Sequence, residues 1–229
     1  MKSVQVFFYI LILAFNSCKQ TKKSNLEQVK INIELKDKLE AILLKDQGIR
    51  EIVNGNLTNE RKINLLNEMK LNETDIEGSK RFDLMREIDS INLIETETII
   101  RNYGYPGKSL VGEPANKAVF YVIQHSNKID KYLPLIRKAT ENGDIAKTSL
   151  AMMEDRNLMD KGIEQLYGTQ IKGQANKNGE WIYFLWPIKK ADSINIWRKE
   201  MGFEQNVEEY AKEMDVEFKL YRIDELNEL

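Results

Sequence analysis

The sequence contains few of the residues on which metal and redox chemistry depend. It has one cysteine, Cys18, and one histidine, His125, in 229 residues. A single cysteine cannot form an intramolecular disulfide, and one cysteine with one histidine cannot supply the usual ligands of a zinc site. We therefore predict no metal site and no cofactor, although a Mg²⁺ or Ca²⁺ site made only of carboxylates stays open.

Neither sign of charge dominates the chain. There are 34 Lys and Arg residues against 36 Asp and Glu residues, which gives a formal net charge of −2. The two signs alternate and leave no basic patch, which argues against a nucleic-acid partner. Proline is scarce, with four residues, and 31% of all residues are charged. This composition favours exposed helices around a modest core.

Long apolar runs are missing except near the first residue. Val4 to Phe15 is apolar apart from Gln5, and Lys2 precedes the run. About a dozen residues is too few for a membrane-spanning helix, which needs roughly 20, but it suits a signal peptide. The run leads into Ala14-Phe15-Asn16-Ser17-Cys18, which resembles a bacterial lipobox.

We therefore predict a lipoprotein signal peptide over residues 1–17 and a lipid on Cys18. The alternative is an uncleaved anchor with an incidental cysteine. Residues 18–30 are polar and basic and indicate a flexible tether. They lack an acidic run that would resemble a surface-export signal, which favours the periplasmic face. The expected location is the bacterial cell envelope, with the chain held at a membrane by its lipid and facing the periplasm.

The spacing of apolar residues predicts one mostly helical domain over residues 31–229. Leu35, Leu39 and Ile42 recur at helical intervals and predict a first helix over 31–53, which Asn54-Gly55-Asn56 ends. Thr58 is expected to cap the next helix. Further helices are predicted over 79–102 with Gly104 as C-cap, 115–126, 128–142 with Pro134 near its first turn, from Thr148 or Ser149 to Lys161, 193–201 and 207–214.

The pattern changes from helical to extended after Gly168. Residues 169–172 and 181–186 predict the two strands of a β-hairpin, with a turn at Asn178-Gly179. Residues 216–229 are predicted to form a strand and then a frayed end. The expected fold is mainly α, a helical bundle-like domain with a small C-terminal β-hairpin.

Polar residues at three places could carry chemistry. His125 follows an apolar run and could act as a general acid or base, or serve as a hydrogen-bonded structural histidine at a helix end. Arg156 could bind an anionic group while Asp155 orients His125 or a water molecule, or the two could belong to a charged helix face with Asp160. The turn Tyr167-Gly168-Thr169-Gln170 could line a pocket or simply start a strand.

Other familiar patterns are weaker. Gly107-Lys108-Ser109 lacks the earlier glycine of a phosphate-binding loop, because position 102 is Asn. No nucleophile elbow surrounds Ser109 that would support a triad with His125 and Asp155. An aromatic run follows the predicted turn and consists of Trp181, Tyr183, Phe184 and Trp186. It could form a platform for a ligand or glycan, or it could form the buried and half-buried faces of a strand.

Several motifs follow one another in order from the first predicted helix onward. They are Lys45-Asp46-Gln47 with Arg50, Ser109-Leu110-Val111-Gly112, Gln124-His125, Leu133-Pro134-Leu135, Asp155-Arg156, Tyr167-Gly168-Thr169-Gln170 and Met201-Gly202-Phe203. Together they resemble an uncharacterised bacterial domain family of unknown function, over about residues 35–210. The chain departs from that pattern at Ser126 and Asn127, where the family often has Ala and an acid, and in a longer insertion over 55–79.

The resemblance implies a shared site but no reaction. It implies that nine polar residues converge: Asp46, Gln47, Arg50, Gln124, His125, Asp155, Arg156, Tyr167 and Gln170. Among them we predict His125 and Asp155 as catalytic residues and the other seven as ligand-binding residues. The leading hypothesis is a pocket around His125 that binds a small polar or anionic ligand and supports acid–base catalysis. The alternative is a non-catalytic lipoprotein that docks an envelope protein, with the same residues forming a buried hydrogen-bond network.

Overall fold

A computed structural model describes residues 31–55 and 57–228 of the chain. The predicted signal peptide, the lipid on Cys18 and the tether therefore lie outside the described residues. None of the helices in the described part combines the length and apolarity that crossing a membrane requires.

The described residues form nine α-helices and one two-stranded antiparallel sheet, which confirms the predicted fold class. The helices are α1 Ile33–Asn54, α2 Asn59–Met69, α3 Lys80–Tyr103, α4 Lys108–Val111, α5 Ala118–Gln124, α6 Ile129–Glu141, α7 Lys147–Asp160, α8 Ile194–Glu200 and α9 Val207–Glu213. The strands are β1 Ile171–Ala175 and β2 Trp181–Leu185, with Gly173 opposite Tyr183 in their register.

Local capping explains where the long helices begin and end. The side chain of Asn32 accepts a hydrogen bond from the Leu35 amide at the start of α1, and that of Thr58 accepts one from Arg61 at the start of α2. Gly55 follows α1 with φ +74°, a conformation that glycine adopts without strain. These ends agree with the sequence-based boundaries within a residue or two.

Three local predictions were wrong. No helix is predicted for residues 104–114, between the helices predicted over 79–102 and 115–126, but these residues contain α4. The Asp144 carboxylate accepts a hydrogen bond from the Lys108 amide (2.9 Å) and caps that short helix. Pro134 lies in the second turn of α6 rather than the first. Residues 216–228 form no strand: they meet β1 through the Gln174 side chain, which donates to the Leu226 carbonyl (3.0 Å), and end in a 3₁₀ helix over Ile223–Glu228.

Three apolar clusters hold the described part together. The largest packs α1 and α3 against α5, α6 and α7. A second lies where α1 and α3 meet α2, and a third lies under the hairpin, α8 and α9. On the buried side of α1, Ile42 belongs to the first cluster and Ile49 to the second. Asp46 lies between them, so a carboxylate interrupts the apolar face where two cores join.

Candidate functional site

The side chain of Asp46 meets His125 across the α1–α5 contact. Asp46 is 1% exposed and the His125 side chain is 21% exposed. His125 Nδ1 lies 3.1 Å from Asp46 Oδ2 and 3.3 Å from Oδ1. Because an ionised carboxylate can only accept, Nδ1 carries the proton of the neutral ring and Nε2 is left as the basic nitrogen.

Arg50 extends this contact into a network that joins α1 to α3. Its Nη1 lies 3.2 Å from Asp46 Oδ1 and donates to the Asp46 carbonyl (2.7 Å). Its Nη2 donates to both oxygens of Asp89, at 2.8 and 3.0 Å. The guanidinium is therefore held between two carboxylates, which leaves it little capacity to bind an anionic ligand.

Asp89 is the member of this network that sequence reasoning missed. Burial raises the pKa of the Asp89 carboxyl above its ordinary value, and the hydrogen bonds from Arg50 oppose that rise. A signal was present in the sequence, because Asp89, Asn92 and Thr96 follow one another at helical spacing. Asn92 and Thr96 are both buried in α3, so this helix carries a polar stripe toward α1.

Two glutamines flank the pair in different ways. Gln47 Nε2 donates to Asp46 Oδ2 (2.6 Å). Gln47 also lines a groove of about 610 Å³ together with Tyr121, and the Tyr121 ring stacks beside His125 with 6.4 Å between ring centroids. Gln124 Oε1 is buried and has no hydrogen-bond partner among the described residues. Of these two glutamines, only Gln47 is bonded to the carboxylate that faces His125.

Asp155 organises the turn that follows α7. It is fully buried and accepts hydrogen bonds from the backbone amides of Leu166 (2.7 Å), Tyr167 (3.1 Å) and Thr169 (3.0 Å), and from the Thr169 hydroxyl (2.9 Å). Burial raises the pKa of the Asp155 carboxyl, and these hydrogen bonds oppose the rise. The predicted contact from Asp155 to His125 does not form, because the turn occupies both carboxylate oxygens.

Other buried side chains lock the same turn, and sequence reasoning missed them. Gln165 Nε2 donates to the carbonyls of Gln170 (3.1 Å) and Trp186 (2.7 Å). Arg198, 1% exposed, donates to the Tyr167 carbonyl (2.8 Å). The sequence did not indicate that Arg198 is buried, because it is a charged residue in the short helix α8. Only the packing of that helix against the turn removes Arg198 from solvent.

Arg156 is more loosely held than its neighbour Asp155. Its side chain is 41% exposed, with Nη1 3.5 Å from Gln170 Oε1 and Nε 3.7 Å from Asp160 Oδ1. The side-chain nitrogen of Gln170, Nε2, donates to the Met152 carbonyl (3.2 Å). Arg156 therefore keeps a partly free charge beside the turn that Asp155 shapes.

The nine residues predicted to converge thus fall into two groups. Asp46, Gln47, Arg50 and His125 are linked by hydrogen bonds, with Gln124 adjacent in the chain; Asp155, Arg156, Tyr167 and Gln170 surround the turn after α7. Within residues 31–55 and 57–228, no group of three or more His, Cys, Asp or Glu side chains is placed to hold a metal ion.

The fold and site define a mainly helical domain with a histidine held by a buried aspartate. Residues 68–221 match the model of a family of unknown function (DUF6624), and the chain belongs to that family. No curated protein and no solved structure matches the chain. The match confirms the predicted membership of an uncharacterised domain family. It includes Asp89, His125 and the turn after α7, whereas Asp46 and Arg50 precede the matched span.

Proposed function

We propose that this chain is a lipid-anchored protein of the cell envelope whose His125–Asp46 pair carries out acid–base chemistry on a small polar ligand. One observation carries the proposal: a buried carboxylate contacts Nδ1 of a partly exposed histidine. A carboxylate in this position fixes the tautomer and orientation of the ring, so that Nε2 can take up or release a proton.

The charges around His125 favour a neutral or hydrogen-bond-donating ligand over an anionic one. Asp46 and Asp89 contribute two carboxylates, and Arg50 is bound to both of them. These three groups together carry a net negative charge beside His125, which disfavours an anion on the ring. Arg156, the predicted anion-binding residue, belongs to the other group of polar residues, at the turn after α7.

The single histidine of the chain makes the proposal directly testable. In the full chain labelled with ¹⁵N-histidine, we expect the neutral ring of His125 to be protonated on Nδ1. We expect Asp46→Asn to reduce the share of that tautomer, because an amide can also donate to the ring. Asp89→Asn is the matched control: Asp89 contacts Arg50 and not His125, so this variant should leave the tautomer unchanged.

Reaction with diethyl pyrocarbonate then measures whether Nε2 is available. We expect carbethoxylation of His125 in the folded chain, at a rate that follows its deprotonated fraction. A ring that reacts only after unfolding, or that is protonated on Nε2 when neutral, would make His125 a structural residue and remove the acid–base proposal.

The non-catalytic docking function is the second candidate, and one observation favours it. On α3, Ile91 and Ile94 are 44% and 64% exposed, while the Asp155 network is buried and occupied by the turn it holds. An exposed aliphatic pair of this kind is a candidate contact for another protein. A structural His125 together with loss of partner capture in Ile94→Asp would support docking.

A further inference from the structure

The outer face of the hairpin carries two large, exposed aromatic side chains. Trp181 and Tyr183 are each 64% exposed and lie on the same face, because alternate residues of a strand point the same way. Their rings meet edge to face, with centroids 6.5 Å apart and an angle of 75°. Phe184 and Trp186, on the opposite face, are buried. Leu185, the next residue of β2 on the outer face, is buried with α8 and α9. The exposed part of this face is therefore the half near the hairpin turn, where Trp181 and Tyr183 lie.

Gly173 shapes this outer face. It pairs with Tyr183 across the sheet, and a Cβ at this position would lie 2.7 Å from Trp181 Nε1 and 2.9 Å from Tyr183 Cε1. The missing side chain lets both rings lie over the backbone of β1 while their outer surfaces stay open. A side chain at this position would force the Trp181 or Tyr183 ring to shift.

We propose that this face, formed by Trp181 and Tyr183 over Gly173, lies in the headgroup region of the membrane that anchors the chain. Trp and Tyr concentrate at the membrane–water interface, where an apolar ring with one polar group is best solvated. The turn between the strands carries an exposed cation, Lys177, together with the exposed Glu180, and lipid phosphates attract the cation. The 75° angle between the rings leaves no flat two-ring surface for a sugar, which favours a bilayer over a glycan.

The tether predicted from the sequence allows this orientation without imposing it. Thirteen residues, 18–30, reach at most about 45 Å when extended. A domain of about 200 residues has a radius of gyration of about 16 Å, so a tether of that reach lets many faces of the domain meet the bilayer. The inference rests on the proposed lipid anchor for the nearness of a membrane, and it is independent of the chemistry at His125.

Tryptophan fluorescence of the full chain in lipid vesicles tests the orientation. Trp181 is exposed, Trp186 is buried and Trp197 is half-buried. With vesicles that contain brominated phosphatidylcholine, we expect the lipid to quench tryptophan emission. Trp181→Phe should remove most of that quenching, whereas Trp197→Phe, the matched control, should keep it. Iodide in the aqueous phase should quench Trp181 less once the chain is on vesicles.

Flotation of the same vesicles separates this inference from the anchor. A chain that floats while Trp181 stays open to iodide and unaffected by brominated lipid overturns the membrane contact but leaves the anchor standing. A chain that does not float overturns both. A change in Trp181 emission on adding soluble chitin oligosaccharides, without any effect of brominated lipid, would assign the face to glycan binding and overturn the proposal.

Discussion

At the scale of single residues, the Asp155 carboxylate accepts from three backbone amides and one hydroxyl in the turn after α7. We expect Asp155→Asn to lower the free energy of unfolding by about 2–4 kcal/mol, because an amide accepts on one oxygen only and its NH₂ group would face backbone donors. Thermal unfolding of the full chain measures this as a lower melting temperature.

Asp160→Asn is the control for this prediction, since Asp160 belongs to the same helix but is exposed and lies 3.7 Å from Arg156. It should shift the melting temperature little, as exposed ion pairs contribute about 0–1 kcal/mol. If Asp155→Asn instead melts at or above the parent, the turn is a site that sacrifices stability for function. Asp155 would then again be a candidate catalytic residue, as the sequence predicted.

At the scale of elements, Gly107 shows how the Gly-Lys-Ser-Leu-Val-Gly segment packs its helical turn against the loop before α7. Its φ of −71° suits any residue, so the glycine is needed for space rather than for conformation. A Cβ at this position would overlap the Asp144 carboxyl group, which caps α4 through the Lys108 amide. The segment is therefore a docking point between α4 and the loop before α7.

A double-mutant cycle tests this docking. We expect Gly107→Ala to destabilise the full chain by about 1–3 kcal/mol in urea unfolding, since overpacking of a tight contact costs that much. In an Asp144→Ala background the same change should cost clearly less, because the overlapping group is gone. Equal costs in both backgrounds would mean that the overlap at Asp144 is not what selects glycine.

At the scale of the whole molecule, the N-terminal prediction decides where the domain works. In a bacterial host we expect the full chain to incorporate an alkyne-labelled fatty acid and to begin at Cys18 after processing. Cys18→Ser should abolish the label, because the chain contains no other cysteine. Ser17→Ala keeps a small residue before the cysteine and should keep the label. A labelled Cys18→Ser chain, or a parent that retains residues 1–17, would favour the uncleaved anchor.

Most of the fold could be predicted because it depends on local spacing and caps. The intervals of Leu35, Leu39 and Ile42 placed α1 correctly, and Thr58 capped α2 as expected. Asn178-Gly179 placed the hairpin turn. Two exceptions depend on residues far apart in the chain. Asp144 caps α4 from 36 residues away, and the strand predicted after residue 215 does not form.

The candidate site was predicted only in part. The resemblance supplied Asp46, Arg50 and His125 as members of one set of nine, but it offered no way to see that Arg50 is held between two carboxylates. Of the two roles considered for Asp155, orienting His125 or a water molecule, the first does not form, and Asp46 contacts the ring instead.

The sequence by itself determined the helical class and the positions of most helix ends and of the hairpin, because these follow from short-range periodicity and local caps. Tertiary structure alone decided which polar groups meet and which aromatic rings stay exposed. Asp46 and His125 are 79 residues apart, so only the packing of α1 on α5 brings them together. Likewise, strand alternation separates Tyr183 from Phe184, but only tertiary packing buries the Phe184 ring, which meets Tyr221 of the C-terminal segment.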